Sequence, residues 1–576
     1  MRRSRREWSN ETPEVSRLHQ LLKISHPQLQ HIEKLRRPIG LSILIYADMR
    51  STQTFLLILL FAAQNSLGQP PSVAIEKQVH EIANILQLPG FSLAVVKDGK
   101  VVYRQMEGYS DLEKKTPVKD DDLFMIASVT KTMTANLIMQ YEQEHKGVLD
   151  SYVLNYRYID IGFGWPYNVD VNTRIRHFLS QTSEDGPGNS FVYNGTRFNF
   201  MYGLFEKMGG HTADVDAYQL ELQKRVLTPL GMQHTIFGFP KSHMDTLFRH
   251  IAKPYIYDQA NKRLVENTGN YTRWTRAFPS GGLLSTIADL VKYTNSYDQH
   301  TLITEASYQK TTAPTELNDG SLSPYALGWF SETFGGKTIH WHYGQADDYA
   351  ALFIRVPETG YTFIFLANSN APSEALRLGS GQIWESPFAA AFFRYFIFNN
   401  NTRARQQLES EELIGKALCL RYTENRAGIY KGEAANLITQ LAKTHPERFK
   451  RYDPGLIYLL TDLHEPAFRP LIDQLTDAYR ANGHVQPYVM TDLANYYLSI
   501  GMNAQALEFY QKLADAKGFE FWQLSAEAAR KAGKLLMKQG KTTEGRTYYW
   551  KAINDMKLQY ADDNAIRGVI KEMNSL

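Results

Sequence analysis

The chain has 576 residues, which is enough for two or three domains. Hydrophobic residues make up 43% and charged residues 21%, as in an ordinary globular protein, and the formal net charge of +3 gives no general case for binding nucleic acid. The single cysteine, Cys419, excludes an internal disulfide framework and any cysteine-based metal cluster.

Residues 49–68 have the pattern of a signal peptide. A short positive segment, Met49-Arg50, precedes an apolar run over residues 55–63, and a small-x-small cleavage site ends at Gly68. Nine apolar residues are too few to span a bilayer. The pattern therefore predicts export to the periplasm or the medium, without stable membrane insertion.

Residues 1–48 do not resemble the start of an exported protein, and we interpret them as an upstream extension before a true start at Met49. The alternative is a basic arm followed by a broken membrane anchor over residues 39–63. Asp48 and Arg50 disfavour that alternative, since charges inside an anchor are costly.

From residue 69 a globular region is expected, and its first recognisable element is a β-hairpin. Residues 91–96 and 101–103 are apolar and β-branched, and Asp98-Gly99 between them is typical of a tight hairpin turn.

Ser128 and Lys131 follow at the start of a predicted buried helix, because residues 133–141 carry apolar side chains at helical spacing. A spacing of three places both on one helix face. Burial and the positive end of a helix favour a neutral lysine, which could take the proton of a serine nucleophile. The pair alone is weak evidence, since a chain of this length has roughly two such matches by chance.

Further helices are predicted near residues 175–179 and 198–208 and after residues 280–286, with Asp289 in the first turn of the last. Two strands, 349–355 and 361–367, follow near the end of this region. Strands at both ends and helices in the middle indicate an α+β domain whose sheet joins distant parts of the chain.

The character of the chain changes after residue 398. The polar run 399–410 indicates a linker, and residues 411–576 are predicted to be all helical. Two segments there repeat a small–aromatic–small pattern, with Gly501 and Gly540 at equivalent places 39 residues apart. The pattern resembles tetratricopeptide repeats, whose usual period is about 34 residues. An irregular helical bundle without a binding groove is the alternative.

Three motifs now stand in order: Ser128-x-x-Lys131, Tyr193-x-Gly195 and His342-x-Gly344. This succession resembles the serine β-lactamase and penicillin-binding-protein-like hydrolases, on the branch of class C β-lactamases, D-stereospecific peptidases and related esterases. The resemblance covers roughly residues 75–398. It implies an antiparallel sheet flanked by helices, with an inserted helical subdomain, over a hydrolase domain at 69–398.

The resemblance also implies the role of each residue. Ser128 would be the acylated nucleophile, Lys131 its base or proton relay, and Tyr193 a second general base that needs a nearby cation to act as phenolate. His342 stands where relatives carry Lys or His, on the edge strand that lines the pocket. The N–H of Gln345, just after Gly344, would complete the oxyanion hole with that of Ser128.

Two positions depart from the family pattern. Gly195 stands where β-lactamases have an Asn whose amide holds the substrate, so we expect poor discrimination for amides and inefficient β-lactam hydrolysis. Asp347 and Asp348 stand where relatives have small residues. At the pocket rim they would disfavour anionic substrates, and the alternative is that they point into solvent.

The sequence thus predicts an exported serine hydrolase that acts on a small ester, amide or peptide through an acyl-enzyme, without metal or organic cofactor. The helical repeats are expected to bind a protein partner or to cover the pocket. Alternatives within the enzyme class are a β-lactamase and a D-alanyl-D-alanine carboxypeptidase. From another class, the alternative is a non-catalytic binding protein that uses the repeats.

Overall fold

The computed structural model describes residues 71–156, 169–184, 186–211, 216–241, 246–483, 486–516, 522–558 and 562–576. The predicted upstream extension and signal peptide lie outside these ranges. Within them, every helix is too short or too polar to cross a bilayer.

A seven-stranded antiparallel sheet organises the first part of the described chain, in the order β3-β2-β1-β12-β11-β10-β9. Pairing of β1 with β12 joins residues 90–97 to residues 361–367, which confirms the predicted closure between distant segments. The strands are β1 Gly90–Lys97, β2 Lys100–Asp111, β3 Thr116–Pro117, β4 Phe124–Met125, β5 Ile236–Phe237, β6 Tyr255–Asp258, β7 Arg263–Glu266, β8 Leu283–Ser285, β9 Phe330–Phe334, β10 Lys337–Gln345, β11 Ala350–Val356 and β12 Tyr361–Ala367.

The predicted hairpin is present, and its turn has the geometry that a two-residue hairpin loop requires. Asp98 and Gly99 have φ of 47° and 79°. Two consecutive positive φ values match the right-handed twist of the flanking strands, and Asp-Gly adopts them at low cost.

Helices cover both faces of the sheet. The structure has α1 Pro71–Ile85, α2 Thr130–Glu144, α3 Ile175–Leu179, α4 Tyr202–Gly209, α5 Ala217–Leu222, α6 Thr228–Leu230, α7 Asn270–Arg273, α8 Ile287–Asp298, α9 Glu305–Thr312, α10 Ala371–Glu374 and α11 Pro387–Phe392. On β1, Leu93 and Val95 belong to the core cluster with α1 and α11, whereas Ala94 and Val96 belong to the cluster with α2 and α8. This alternation follows the period of two along a strand, and it confirms the α+β architecture.

An all-helical region follows. Its helices are α12 Thr402–Ala427, α13 Glu433–Thr444, α14 Pro454–Leu463, α15 Arg469–Asn482, α16 Pro487–Ser499, α17 Asn503–Asp515, α18 Trp522–Lys538, α19 Thr542–Leu558 and α20 Asp563–Ser575. The repeated positions Tyr497 and Leu536 are both buried. They lie in the first helices of two successive antiparallel pairs, α16–α17 and α18–α19.

The predicted linker over 399–410 is corrected by the structure. From Thr402 these residues form the first turns of α12, capped by the side chain of Asn401, which accepts from the N–H of Ala404. Leu408 in this segment is fully buried, in the same core cluster as Leu93 of the sheet. The polar residues that suggested a linker are the exposed face of an amphipathic helix.

Candidate active site

Ser128 lies in a single 3-10 turn, Ala127–Val129, immediately before α2. Ala127 has φ of 42°, in the left-handed region that residues other than glycine rarely adopt. Such strain persists only where the surroundings hold it, and it is concentrated at functional sites. The turn therefore presents Ser128 half-exposed at the N-terminus of α2, whose first turns are buried.

Strand β10 packs directly against this turn because Gly344 has no side chain. A Cβ at Gly344 would lie 2.2 Å from the carbonyl oxygen of Ile126. The glycine of the third motif is thus required by close approach of two backbone segments.

Lys131 is buried, with a side chain that reaches Ser128. Its Nζ lies 2.9 Å from the Oγ of Ser128 and donates to the carbonyl oxygen of Ser280 at 2.8 Å. Burial lowers the pKa of Lys131 to about 7, because the ammonium form loses its hydration. A pKa near 7 leaves a large fraction of Lys131 as the free amine at neutral pH, next to the Ser128 hydroxyl.

Tyr193 lies on the other side of Lys131, whose Nζ is 5.6 Å from the centroid of the tyrosine ring. The Tyr193 hydroxyl is buried, and burial raises its pKa well above the ordinary value even though the Ser128 and Tyr343 hydroxyls act in the opposite direction. The phenolate that the family resemblance suggested is therefore disfavoured. The environment keeps Tyr193 protonated at neutral pH.

Gln345 ends β10 beside Ser128. The N–H of the next residue, Ala346, donates to Tyr349, and Gln345 is opposite Ala350. Hydrogen bonds alternate along an antiparallel pair, so the N–H of Gln345 points away from β11. The first hydrogen bond of the Ser128 turn runs from Val129 to Ile126, so the turn does not use the N–H of Ser128 either. Ser128 and Gln345 both line the same cleft.

His342 does not line this cleft. Strand β9 is the edge strand, and it pairs with β10 as far as Trp341. His342 is fully buried: its Nδ1 donates to the Tyr343 carbonyl at 2.6 Å and its Nε2 accepts from the Tyr325 hydroxyl at 2.8 Å. Burial lowers the pKa of His342 to about 3, so it is a neutral residue of the core behind the site.

Gly195 is close to the lysine. A Cβ there would lie 3.5 Å from the Nζ of Lys131, an ordinary contact distance, so a side chain would fit. One helical turn later, the Oδ1 of Asn199 accepts from the N–H of Ser280 at 3.0 Å. This contact holds the backbone that receives the Lys131 hydrogen bond.

The expectation that Asp347 and Asp348 both face the pocket rim is wrong for Asp348. Asp348 is fully buried and its Oδ2 accepts from Asn267 and Asn270 at 3.0 and 2.5 Å. Burial raises its pKa to about 7. Asp347 is exposed, and its carboxylate accepts from the guanidinium of Arg273 at 2.8 Å. Neither carboxylate lines the cleft.

A cleft of about 180 Å³ lies beside Ser128 and Lys131, and we call it the inner cleft. Its lining includes Ser128, Lys131, Gly195, Asn199, Ser280 and Gln345. The sequence motifs identified four of these six. Asn199 and Ser280 take part through backbone atoms of Ser280, whose carbonyl accepts from Lys131 and whose N–H donates to Asn199. No spacing rule predicts such contacts.

Comparison with known proteins gives a consistent result. The model of the Beta-lactamase family matches residues 75–385, more than half of the chain. "Penicillin-binding protein 4*" of Bacillus subtilis is 24% identical over 322 residues, 50% of this chain and 70% of that protein. "Protein flp" of Staphylococcus aureus is 23% identical over 320 residues, 49% of this chain and 60% of that protein. The chain therefore spans less than two thirds of the staphylococcal relative.

Two solved structures match the chain at lower sequence identity. The octameric penicillin-binding protein homologue from Pyrococcus abyssi has 22% sequence identity and a TM-score of 0.45, over 59% of this chain and 80% of that chain. The D-amino acid amidase from Ochrobactrum anthropi SV3 has 19% identity and a TM-score of 0.43, over 52% of this chain and 91% of that chain.

Proposed function

Because the chain belongs to the Beta-lactamase family of serine hydrolases, we propose that it cleaves an ester or amide through an acyl-enzyme on Ser128. The observation that carries this proposal is the contact of 2.9 Å between the Lys131 amine and the Ser128 hydroxyl in a buried setting. A neutral amine has one lone pair for the Ser128 proton while one of its own N–H groups donates to Ser280.

In this mechanism Lys131 takes the proton of Ser128 as the Oγ attacks the substrate carbonyl. The oxyanion that forms is stabilised by the N–H groups of Ser128 and Gln345, and losing one such donor typically costs about 10²–10³ in rate. Tyr193, held protonated by burial, gives its proton to the departing group and regains one from the Lys131 ammonium, whose Nζ lies 5.6 Å from the centroid of its ring. Water then deacylates the enzyme by the same groups in reverse.

Penicillin binding is a second candidate, which the name of the Bacillus relative suggests. Gly195 argues against efficient turnover of this class, since it offers no side-chain amide to hold the amide carbonyl of a β-lactam. We therefore propose esters as the preferred substrates, ahead of both β-lactams and D-peptides.

The test is to label the wild type and the Ser128→Ala variant with a fluorescent fluorophosphonate and a fluorescent penicillin, side by side. We expect fast fluorophosphonate labelling, much slower penicillin labelling, and neither in the variant. Equal labelling of the wild type and the variant would contradict the proposal.

Export is the other part of the proposed function, and residues 49–68 support it by their signal-peptide pattern. N-terminal sequencing of protein recovered from the periplasm should begin close to Gln69. A mature protein that retains Arg2 to Arg6 would show that the extension is part of the molecule.

A further inference from the structure

A second cleft, of about 330 Å³, lies beside the inner cleft and is lined by both parts of the chain. We call it the outer cleft. The hydrolase part contributes Tyr193, Tyr343, Gln345 and Arg377, and helix α16 contributes Tyr488 and Asp492. Gln345 lines both clefts, so the two clefts are adjacent.

The wall from α16 is fixed in place by Arg377. Its Nη1 donates to Asp492 at 2.8 Å, and its guanidinium lies 3.5 Å from the ring centroid of Tyr458 in α14. Arg377 has φ of 45°, a conformation that surrounding contacts must hold. Nearby, the Nε2 of Gln486 donates to the carbonyl oxygen of Phe191, two residues before Tyr193. The helical region is thus built into the substrate side of the hydrolase.

The chemistry of the outer cleft is mainly aromatic and apolar. Three tyrosines line it, together with Val192, Val489, Pro454 and Pro487. Its charged groups are Arg377, Asp492 and Glu374, and the pair between the first two leaves one carboxylate in excess. Such a lining favours an apolar or aromatic group that is neutral or cationic over an anionic one.

The position of Tyr193 indicates which end of the substrate enters. Tyr193 lines the outer cleft, and the Lys131 Nζ that lies 2.9 Å from the Ser128 Oγ is 5.6 Å from the centroid of the Tyr193 ring. In the proposed mechanism Tyr193 returns a proton to the departing group, so that group must lie on the Tyr193 side of Ser128.

We propose that the outer cleft is the leaving-group subsite, and that Tyr488 of helix α16 selects substrates whose leaving group carries an apolar or aromatic body without negative charge. This inference rests on the proposed hydrolase function. It assigns the helical region a part in substrate recognition. Of the two roles expected for the helices, this is the one in which they cover the pocket.

The kinetic test compares three esters by kcat/KM: ethyl acetate, 4-phenylbutyl acetate with the ring on the leaving group, and ethyl 4-phenylbutyrate with the ring on the acyl group. Tyr488→Ala should lower the ratio for 4-phenylbutyl acetate over ethyl acetate about tenfold. The matched control is Trp550→Ala, since Trp550 is 48% and Tyr488 51% exposed, both in the helical region. The control should keep the wild-type ratio.

An unchanged ratio in Tyr488→Ala would overturn the proposal. A fall in the ratio for ethyl 4-phenylbutyrate over ethyl acetate, with the first ratio unchanged, would also overturn it, because the ring would then bind on the acyl side.

A binding measurement separates this inference from the proposed function. In the Ser128→Ala background, calorimetric titration should show that 4-phenylbutylamine binds more tightly than 4-phenylbutyrate, and that adding Tyr488→Ala weakens the amine about tenfold. Equal affinities with and without Tyr488, or tighter binding of the anion, would overturn the subsite. If Ser128→Ala hydrolysed esters like the wild type, the proposed function would fail while this titration still decided the subsite.

Discussion

The Lys131 amine lies 2.9 Å from the Ser128 hydroxyl, inside a buried pocket that lowers the pKa of the lysine to about 7. Distance and charge state together support the proposed roles of Ser128 as nucleophile and Lys131 as its base. A lysine at the same distance on the surface would remain an ammonium ion and could only donate.

The first prediction concerns pH. Only the neutral form of Lys131 can accept the Ser128 proton, so acylation should rise as pH increases through about 7 and then level off. Stopped-flow acylation with p-nitrophenyl acetate measures this limb. Lys131→Arg, which keeps the charge but cannot lose it near neutral pH, should cost about 10²–10⁴ in rate and remove the limb. A limb near pH 7 that survives in this variant would assign the titration to another group.

The second prediction concerns Tyr193. Tyr193→Phe removes the proton relay and should cost about 10²–10⁴ in turnover. Since burial keeps the hydroxyl protonated, the rising limb near pH 7 should remain in this variant. The effects of Tyr193→Phe and Lys131→Ala should not add in the double variant, because the groups act as a unit. Wild-type turnover by Tyr193→Phe would remove Tyr193 from the mechanism.

The third prediction uses two glycines of the site as a matched pair. Gly344→Ala should lower the melting temperature and abolish turnover, since its Cβ would lie 2.2 Å from a backbone oxygen. Gly195→Ala is the control, because its Cβ would meet Lys131 at 3.5 Å. It should melt within a few degrees of the wild type. Equal melting temperatures for both variants would show that the backbone of β10 can move aside.

The fourth prediction concerns the helical region. A chain ending at Asn400 lacks α12, whose buried Leu408 belongs to the same core as Leu93 of the sheet, and should show no cooperative melting transition. A chain ending at Asp562 is the control, because it loses only α20, whose buried residues belong to a small cluster with α18 and α19 that is separate from the main core. A cooperative transition in the Asn400 chain would show that the hydrolase part folds alone.

The sequence predicted the parts of this molecule that local pattern determines. The Asp98-Gly99 turn and the helix after Ser128 follow from turn chemistry and periodicity. Strands at both ends of the region indicated that its sheet joins distant segments of the chain. The order of three motifs then identified Ser128, Lys131, Tyr193 and Gln345 as neighbours.

The features that the sequence did not predict depend on burial by residues that are distant in the chain. The protonated state of Tyr193 and the enclosure of His342 both come from residues far away in the chain. The same holds for Asp348, which looked like a rim carboxylate and is buried between two asparagines. The polar run that suggested a linker is one face of α12. Its apolar residues were too few for the sequence to show the period of the helix.

The location of the covalent bond between protein and inhibitor tests the proposed acyl-enzyme on Ser128 most directly. After reaction with a fluorophosphonate, peptide mass mapping should place the adduct on Ser128, and Ser128→Ala should form none while Ser499→Ala, on the exposed face of α16, reacts like the wild type. An adduct on any other serine, or unchanged ester hydrolysis by Ser128→Ala, would contradict the proposal that Ser128 is the nucleophile.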